Sequence, residues 1–151
     1  IRKRFPNISL AITGVERARN VPSWINDYRT VDINPGVEKK WCQLYSESQI
    51  VIGVHGSNML LPTAHAASFI EILPLERFGN IGQDVIPNKD PRLVMFLNRF
   101  VDESISPKGL ARLAISIIRT FDIFHLNMNP QFLQHKYYSD VSDWAEKRRQ
   151  F

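Results

Sequence analysis

The chain has 151 residues, 44% of them hydrophobic and 23% charged, with a formal net charge of +4. That length suits one domain with a real core, and that composition excludes a disordered chain. No apolar run approaches the roughly 18–20 residues of a membrane span, and the opening IRKRFPN lacks the apolar stretch of a signal peptide, so neither is expected. Residue 1 is Ile and not Met, as in a piece of a longer protein or a processed chain.

The cations gather towards the two ends, at Arg2, Lys3, Arg4, Arg17 and Arg19 and again at Lys136, Lys147, Arg148 and Arg149. Basic ends of this kind admit a nucleic-acid or anionic-membrane surface, and the plainer reading is a pair of solvated segments. One cysteine, Cys42, rules out an internal disulfide. Beside Trp41 it reads as a small core residue in a reducing compartment, so a cytoplasmic setting is expected. The four scattered histidines and this cysteine give no metal-ligand spacing, and no metal site is expected.

In chain order, residues 8–12 form a short apolar run ending at Gly14, a first strand. Residues 17–26 read as a loop or short helix punctuated by Pro22 and Trp24. Residues 30–33 predict a second strand, closed by the turn signal Asn34-Pro35-Gly36. Val37, Trp41, Leu44 and Tyr45 then recur at helical spacing to about Ser48. Residues 50–54 are a buried strand that stops at His55-Gly56-Ser57, and residues 69–73 are a second one. Residues 75–91 are loop-rich, and residues 93–97, with 100–101, add an edge strand. Ser106-Pro107 is a helix cap followed by Pro at the first helical position. Leu110, Leu113, Ala114, Ile117, Ile118 and Phe121 make an apolar stripe that predicts a helix over 107–124. Residues 127–130 break it and residues 141–149 predict a more polar helix. Strands alternating with helices imply an α/β domain with a mostly parallel, doubly wound sheet.

The richest segment is 50–74, IVIGVHGSNMLLPTAHAASFIEILP. A strand that ends in a Gly turn and opens a helical segment leaves backbone N–H groups unpaired at one place, which attracts phosphate. Three standard motifs fail here. A P-loop needs Gly-Lys-Ser/Thr, and no Lys follows Gly56; a dinucleotide fingerprint needs three spaced glycines, and Gly53 and Gly56 do not supply them. A nucleophile elbow around Ser57 needs glycines where His55 and Met59 stand. What remains is His-Gly-Ser-Asn at a strand end. Gly56 permits the turn and a close ligand, and Ser57 and Asn58 could cap the next turn or donate to phosphate. His55 could donate to a diphosphate and balance charge on a leaving group, or be a satisfied edge histidine.

Pro62 leaves two readings. Either a helix covers 57–61 and a turn covers 62–66, bringing His65 within reach of the ligand, or the helix begins near Leu61 and His65 is structural. Glu71 lies between Ile70 and Ile72, where a carboxylate is costly unless paired or facing a site. It could accept from ribose hydroxyls or pair with Arg77 or Arg92. Asp32, between Val31 and Ile33, poses the same question.

Residues 53–62, GVHGSNMLLP, followed by residues 69–74, FIEILP, resemble the signature of family-61-type glycosyltransferases. There a GVHGAGLTNMLFLPP stretch precedes a-x-V-I-E-I-x-P. The match covers about residues 49–74, with a loop after His55-Gly56 about two residues shorter and with His65 in a region usually richer in Gly and Pro. The resemblance implies the C-terminal, donor-binding domain of a GT-B glycosyltransferase: a Rossmann-like three-layer domain over 1–125, with 126–151 as a helical extension packed on it. It implies a nucleotide-diphosphate sugar as donor, no cofactor and no bound metal, an inverting mechanism, and a glycan, glycolipid or protein acceptor. Gly53, His55, Gly56, Ser57, Asn58 and His65 would then line the nucleotide-sugar site, with His55 catalytic and Glu71 at the ribose or its surroundings. A chain of this length lacks room for both halves of such an enzyme, so the acceptor half is expected to be missing and the isolated chain to transfer little or no sugar. A non-catalytic nucleotide- or phosphate-binding module and a basic nucleic-acid-binding domain are the competing readings. Trp24, Trp41, Phe121 and Trp144 sit at core-like spacings, which counts against nucleic acid.

Overall fold

The computed structural model describes residues 1–15, 20–80 and 97–127, with side chains of the last helix described to residue 120. Parallel strands form two small sheets, one of two strands and one of three. In the first, β1 (Ala11–Ile12) pairs with β2 (Asn26–Asp27). The bonding runs past the strand ends, since the N–H groups of Asn26, Tyr28 and Thr30 donate to the carbonyls of Leu10, Ile12 and Gly14 at 2.8–2.9 Å.

The expected strand over 30–33 is therefore displaced. Only Thr30 joins the ladder, while Val31 and Ile33 are exposed beyond it. The Thr30 hydroxyl accepts from the Asp32 N–H at 3.2 Å, turning the chain where a strand would have continued. Asp32 is exposed there, so it needs no buried partner.

Helix α1 (Pro35–Ser46) starts where the turn signal placed it. The Asn34 side-chain oxygen accepts from the N–H groups of Gly36 and Val37 at 3.0 and 3.1 Å, and Pro35 fills the first helical position. The helix is tied to the first sheet's connections by polar contacts: Trp41 Nε1 donates to the Tyr28 carbonyl, and the Tyr45 hydroxyl donates to Thr13 Oγ1, both at 2.9 Å. Cys42 is half-buried on the same helix.

The second sheet runs β3 (Val51–Val54), β4 (Phe69–Leu73), β5 (Asn98–Asp102), all parallel. β5 contains residues 100–101 of the expected edge strand and begins just past residue 97; residues 93–96 lie outside the described ones. The crossover from β3 to β4 is a 3₁₀ turn (Ser57–Met59) running into α2 (Leu60–His65). Pro62 is accommodated because it falls in the first turn of α2, where its missing N–H is not needed. The carbonyl of Pro62 closes the helix by accepting from the Ala66 N–H at 2.9 Å.

Central β4 is covered on both faces. Ile70 packs in a buried cluster with Leu97, Ala114 and Ile117, the last two from α3 (Pro107–Asn127). This is the apolar stripe read from the sequence, and the Gly109 N–H donates to Ser106 Oγ at 3.1 Å as the cap requires. Glu71 and its neighbour Gly53 point to the other face, where Met59 of the crossover lies so close that a Cβ on Gly53 would collide with its Sδ. Each large apolar side chain so buried contributes about 1.5–3 kcal/mol. Among the described residues no helix is long and apolar enough to cross a membrane. The extension over 126–151, apart from the end of α3, lies outside the described residues.

Candidate functional site

His55 is where β3 leaves the sheet: its N–H makes the ladder's next bond, to the Ile72 carbonyl at 2.9 Å. Side chains alternate along a strand, so His55 shares a face with Gly53 and with Glu71, which is Gly53's register partner. His55 Nδ1 and Glu71 Oε2 lie 2.6 Å apart, and the two side chains are 2% and 0% exposed. Phe100, opposite Glu71 on β5, stands edge-on to the His55 ring at 6.5 Å and to Phe69 at 5.5 Å.

These contacts account for a carboxylate inside an apolar strand. An ionised Glu71 can only accept, so Nδ1 donates, which sets the tautomer and directs any chemistry of the ring to Nε2. Glu71 was expected at the ribose or its surroundings; in the structure its side chain has no exposed surface and lies against His55. Glu71 pairs with the imidazole, whereas Arg77 bonds to the His55 carbonyl; Arg92 lies outside the described residues.

Gly56 follows in a conformation that favours glycine, at φ +156°. A Cβ there would fall 2.6 Å from Arg77 Nη1 and 2.9 Å from Asn58 Oδ1. Ser57 and Asn58 are exposed. Ser57 does not cap the 3₁₀ turn, and the Asn58 amide reaches back to the Val54 carbonyl at 3.4 Å. Among the described residues the N–H groups of Gly56, Ser57 and Asn58 meet no acceptor, while the Gly56 carbonyl accepts from the Met59 N–H at 2.8 Å. Gly53 supplies room and no functional group, since its bare backbone lets Met59 seat the crossover against β3.

Five of the expected residues thus gather at the C-terminal edge of β3 and β4, with Glu71 beneath them: Gly53, His55, Gly56, Ser57 and Asn58. His65 does not. It ends α2, exposed, and two residues later the Ala67 N–H donates to the Ser48 carbonyl at 3.2 Å, beside the start of β3. The crossover has carried His65 to the opposite edge of the sheet.

Arg77 is the residue the expected set lacked. It comes from a second 3₁₀ segment (Leu75–Asn80) just past β4, and its Nη1 donates to the His55 carbonyl at 2.6 Å. The available signal was a cation three residues beyond the FIEILP strand, in a loop that a parallel sheet must bring back to the same edge. Among the described residues no group of three or more His, Cys, Asp or Glu side chains is placed to hold a metal ion. No protein-family model, curated protein or solved structure matches the chain.

Proposed function

We propose that this chain is the Rossmann-like, donor-binding half of a GT-B glycosyltransferase and seats the diphosphate of a nucleotide sugar at the turn 55–58. The observation that carries the reading is the buried His55–Glu71 pair at the C-terminal edge of parallel strands, directly before the bare backbone of Gly56. Ligands of open α/β sheets bind at that edge, and a carboxylate-oriented imidazole there can stabilise charge that develops on a leaving phosphate. The sequence resemblance over 49–74 points to the same residues.

In the proposed reaction an acceptor hydroxyl oxygen bonds to the anomeric carbon as the bond from that carbon to the diphosphate oxygen breaks. The electron pair leaves with the diphosphate, and the acceptor proton passes to a base contributed by the acceptor-binding half. As the doubly protonated imidazolium, His55 donates from Nε2 to the departing diphosphate while its Nδ1–H stays on Glu71, which holds the ring in place. The metal-independent, inverting mechanism and the glycan, glycolipid or protein acceptor belong to the same proposal.

Titration calorimetry with UDP, GDP, CDP and their sugar conjugates tests it on the native chain and on His55→Gln, whose amide can still donate to Glu71. One nucleotide should bind selectively, and the variant should lose about tenfold or more in affinity. A well-folded native chain that binds none of them would refute the reading. One observation favours a second reading: with its ring only 2% exposed, His55 serves position more readily than proton transfer. A non-catalytic nucleotide-binding module would bind the free nucleoside diphosphate and its sugar conjugates equally well.

A further inference from the structure

Arg77 is a surface cation beside the turn that meets no carboxylate among the described residues. Among the described residues its one hydrogen bond runs to a neutral acceptor, the His55 carbonyl at 2.6 Å, and neither Arg29–Asp27 nor His55–Glu71 involves it. Holding a long exposed side chain against a single carbonyl costs it rotamer freedom, and a neutral oxygen is a weaker partner for a guanidinium than an anion is. The guanidinium also lies over Gly56, in the space a side chain at 56 would fill, with Nη1 2.6 Å and Cζ 3.8 Å from that point. Gly56 therefore keeps the backbone open to Arg77 itself.

We propose that Arg77 is the residue that recognises the diphosphate, exchanging the His55 carbonyl for a two-point contact to phosphate oxygens when the ligand enters. The inference rests on the reading of the turn 55–58 as a nucleoside-diphosphate site, and it adds the group that sets the ligand's charge class. The planar fork of a guanidinium matches two phosphate oxygens, whereas an ammonium offers a point charge. Recognition through this fork concerns phosphate alone, so inorganic pyrophosphate is itself a ligand. The strap from the end of β4 to the end of β3 is thereby coupled to occupancy, because the same Nη1 serves both partners in turn.

The test titrates the full 151-residue chain with inorganic pyrophosphate and with UDP, GDP and CDP, comparing the native chain with Arg77→Ala and Arg77→Lys. Arg77 is exposed, so both variants should keep the native circular dichroism and unfolding midpoint. Arg77→Ala should weaken pyrophosphate and the preferred nucleoside diphosphate alike, by about tenfold or more, with Arg77→Lys recovering only part. A nucleoside diphosphate bound equally by the native chain and Arg77→Ala would overturn the role of Arg77 and leave the donor-site reading standing. A folded native chain that binds neither pyrophosphate nor any nucleotide would overturn both.

Discussion

A carboxylate with no exposed surface in mid-strand needs a partner, and at Glu71 that partner is the imidazole 2.6 Å away. The two halves of the pair are not equivalent. His55→Ala removes one partner of a buried carboxylate and should cost about 3–5 kcal/mol. Glu71→Gln keeps a hydrogen-bonding group of the same shape beside the ring and should cost about 1–3 kcal/mol. Urea unfolding of the two variants orders them, and the reverse order would mean that Glu71 is not held as an anion. Tyr45 offers a second check at this scale. Burial raises its hydroxyl above the ordinary tyrosine range, opposed by the weaker pull of the Thr13 hydrogen bond. With the folded pKa raised, the stabilisation is fully present below about pH 10 and is lost as pH rises through the folded value. Stability should therefore fall on the alkaline side, less steeply in Tyr45→Phe, as followed by denaturant midpoints across pH 9 to 11.

The elements show where local chemistry sufficed. Asn34, Pro35 and the cap bonds to Gly36 and Val37 start α1 without help from the rest of the molecule. Asn34→Ala should cost about 1 kcal/mol, seen as a lower urea midpoint with an unchanged slope. The apolar stripe of α3 and the runs that became β3 and β4 were equally plain, because periodicity and apolar content carry that information along the chain. Strand 30–33 failed for a reason of the same kind. Val31 and Ile33 have strand-like side chains, but the ladder with β1 is already made upstream, by Asn26, Tyr28 and Thr30. Pairing decides which stretch becomes a strand, and a polar Asn-Asp dipeptide does not advertise it.

At the scale of the whole molecule, the chain brings together groups that its order keeps apart. Arg2 lies 5.1 Å from the centre of the Trp24 ring, and the two form an open cleft of about 520 Å³ with Lys3 and Pro6. Lys40 likewise lies 5.0 Å from the Tyr28 ring. Trp24, read from its spacing as core-like, meets a cation here in space. Both Pro6 and Trp24 precede their strands, so this cleft sits at the entry ends of β1 and β2, whereas His55 sits at the exit end of β3.

From residue order alone came the alternation of strand and helix, the turn signal ahead of α1, the cap of α3, the turn at His55-Gly56 and the oddity of Glu71, because each is written in local periodicity or in a residue unsuited to its neighbours. Folding had to supply the partners. The register that sets Gly53 against Glu71 brings His55 within 2.6 Å of that carboxylate across sixteen residues. The crossover that removes His65 to the far edge, and the loop that returns Arg77 to the near one, follow from parallel pairing of β3 and β4. Such contacts depend on chain direction and strand order, which long-range hydrophobic packing sets and local sequence does not.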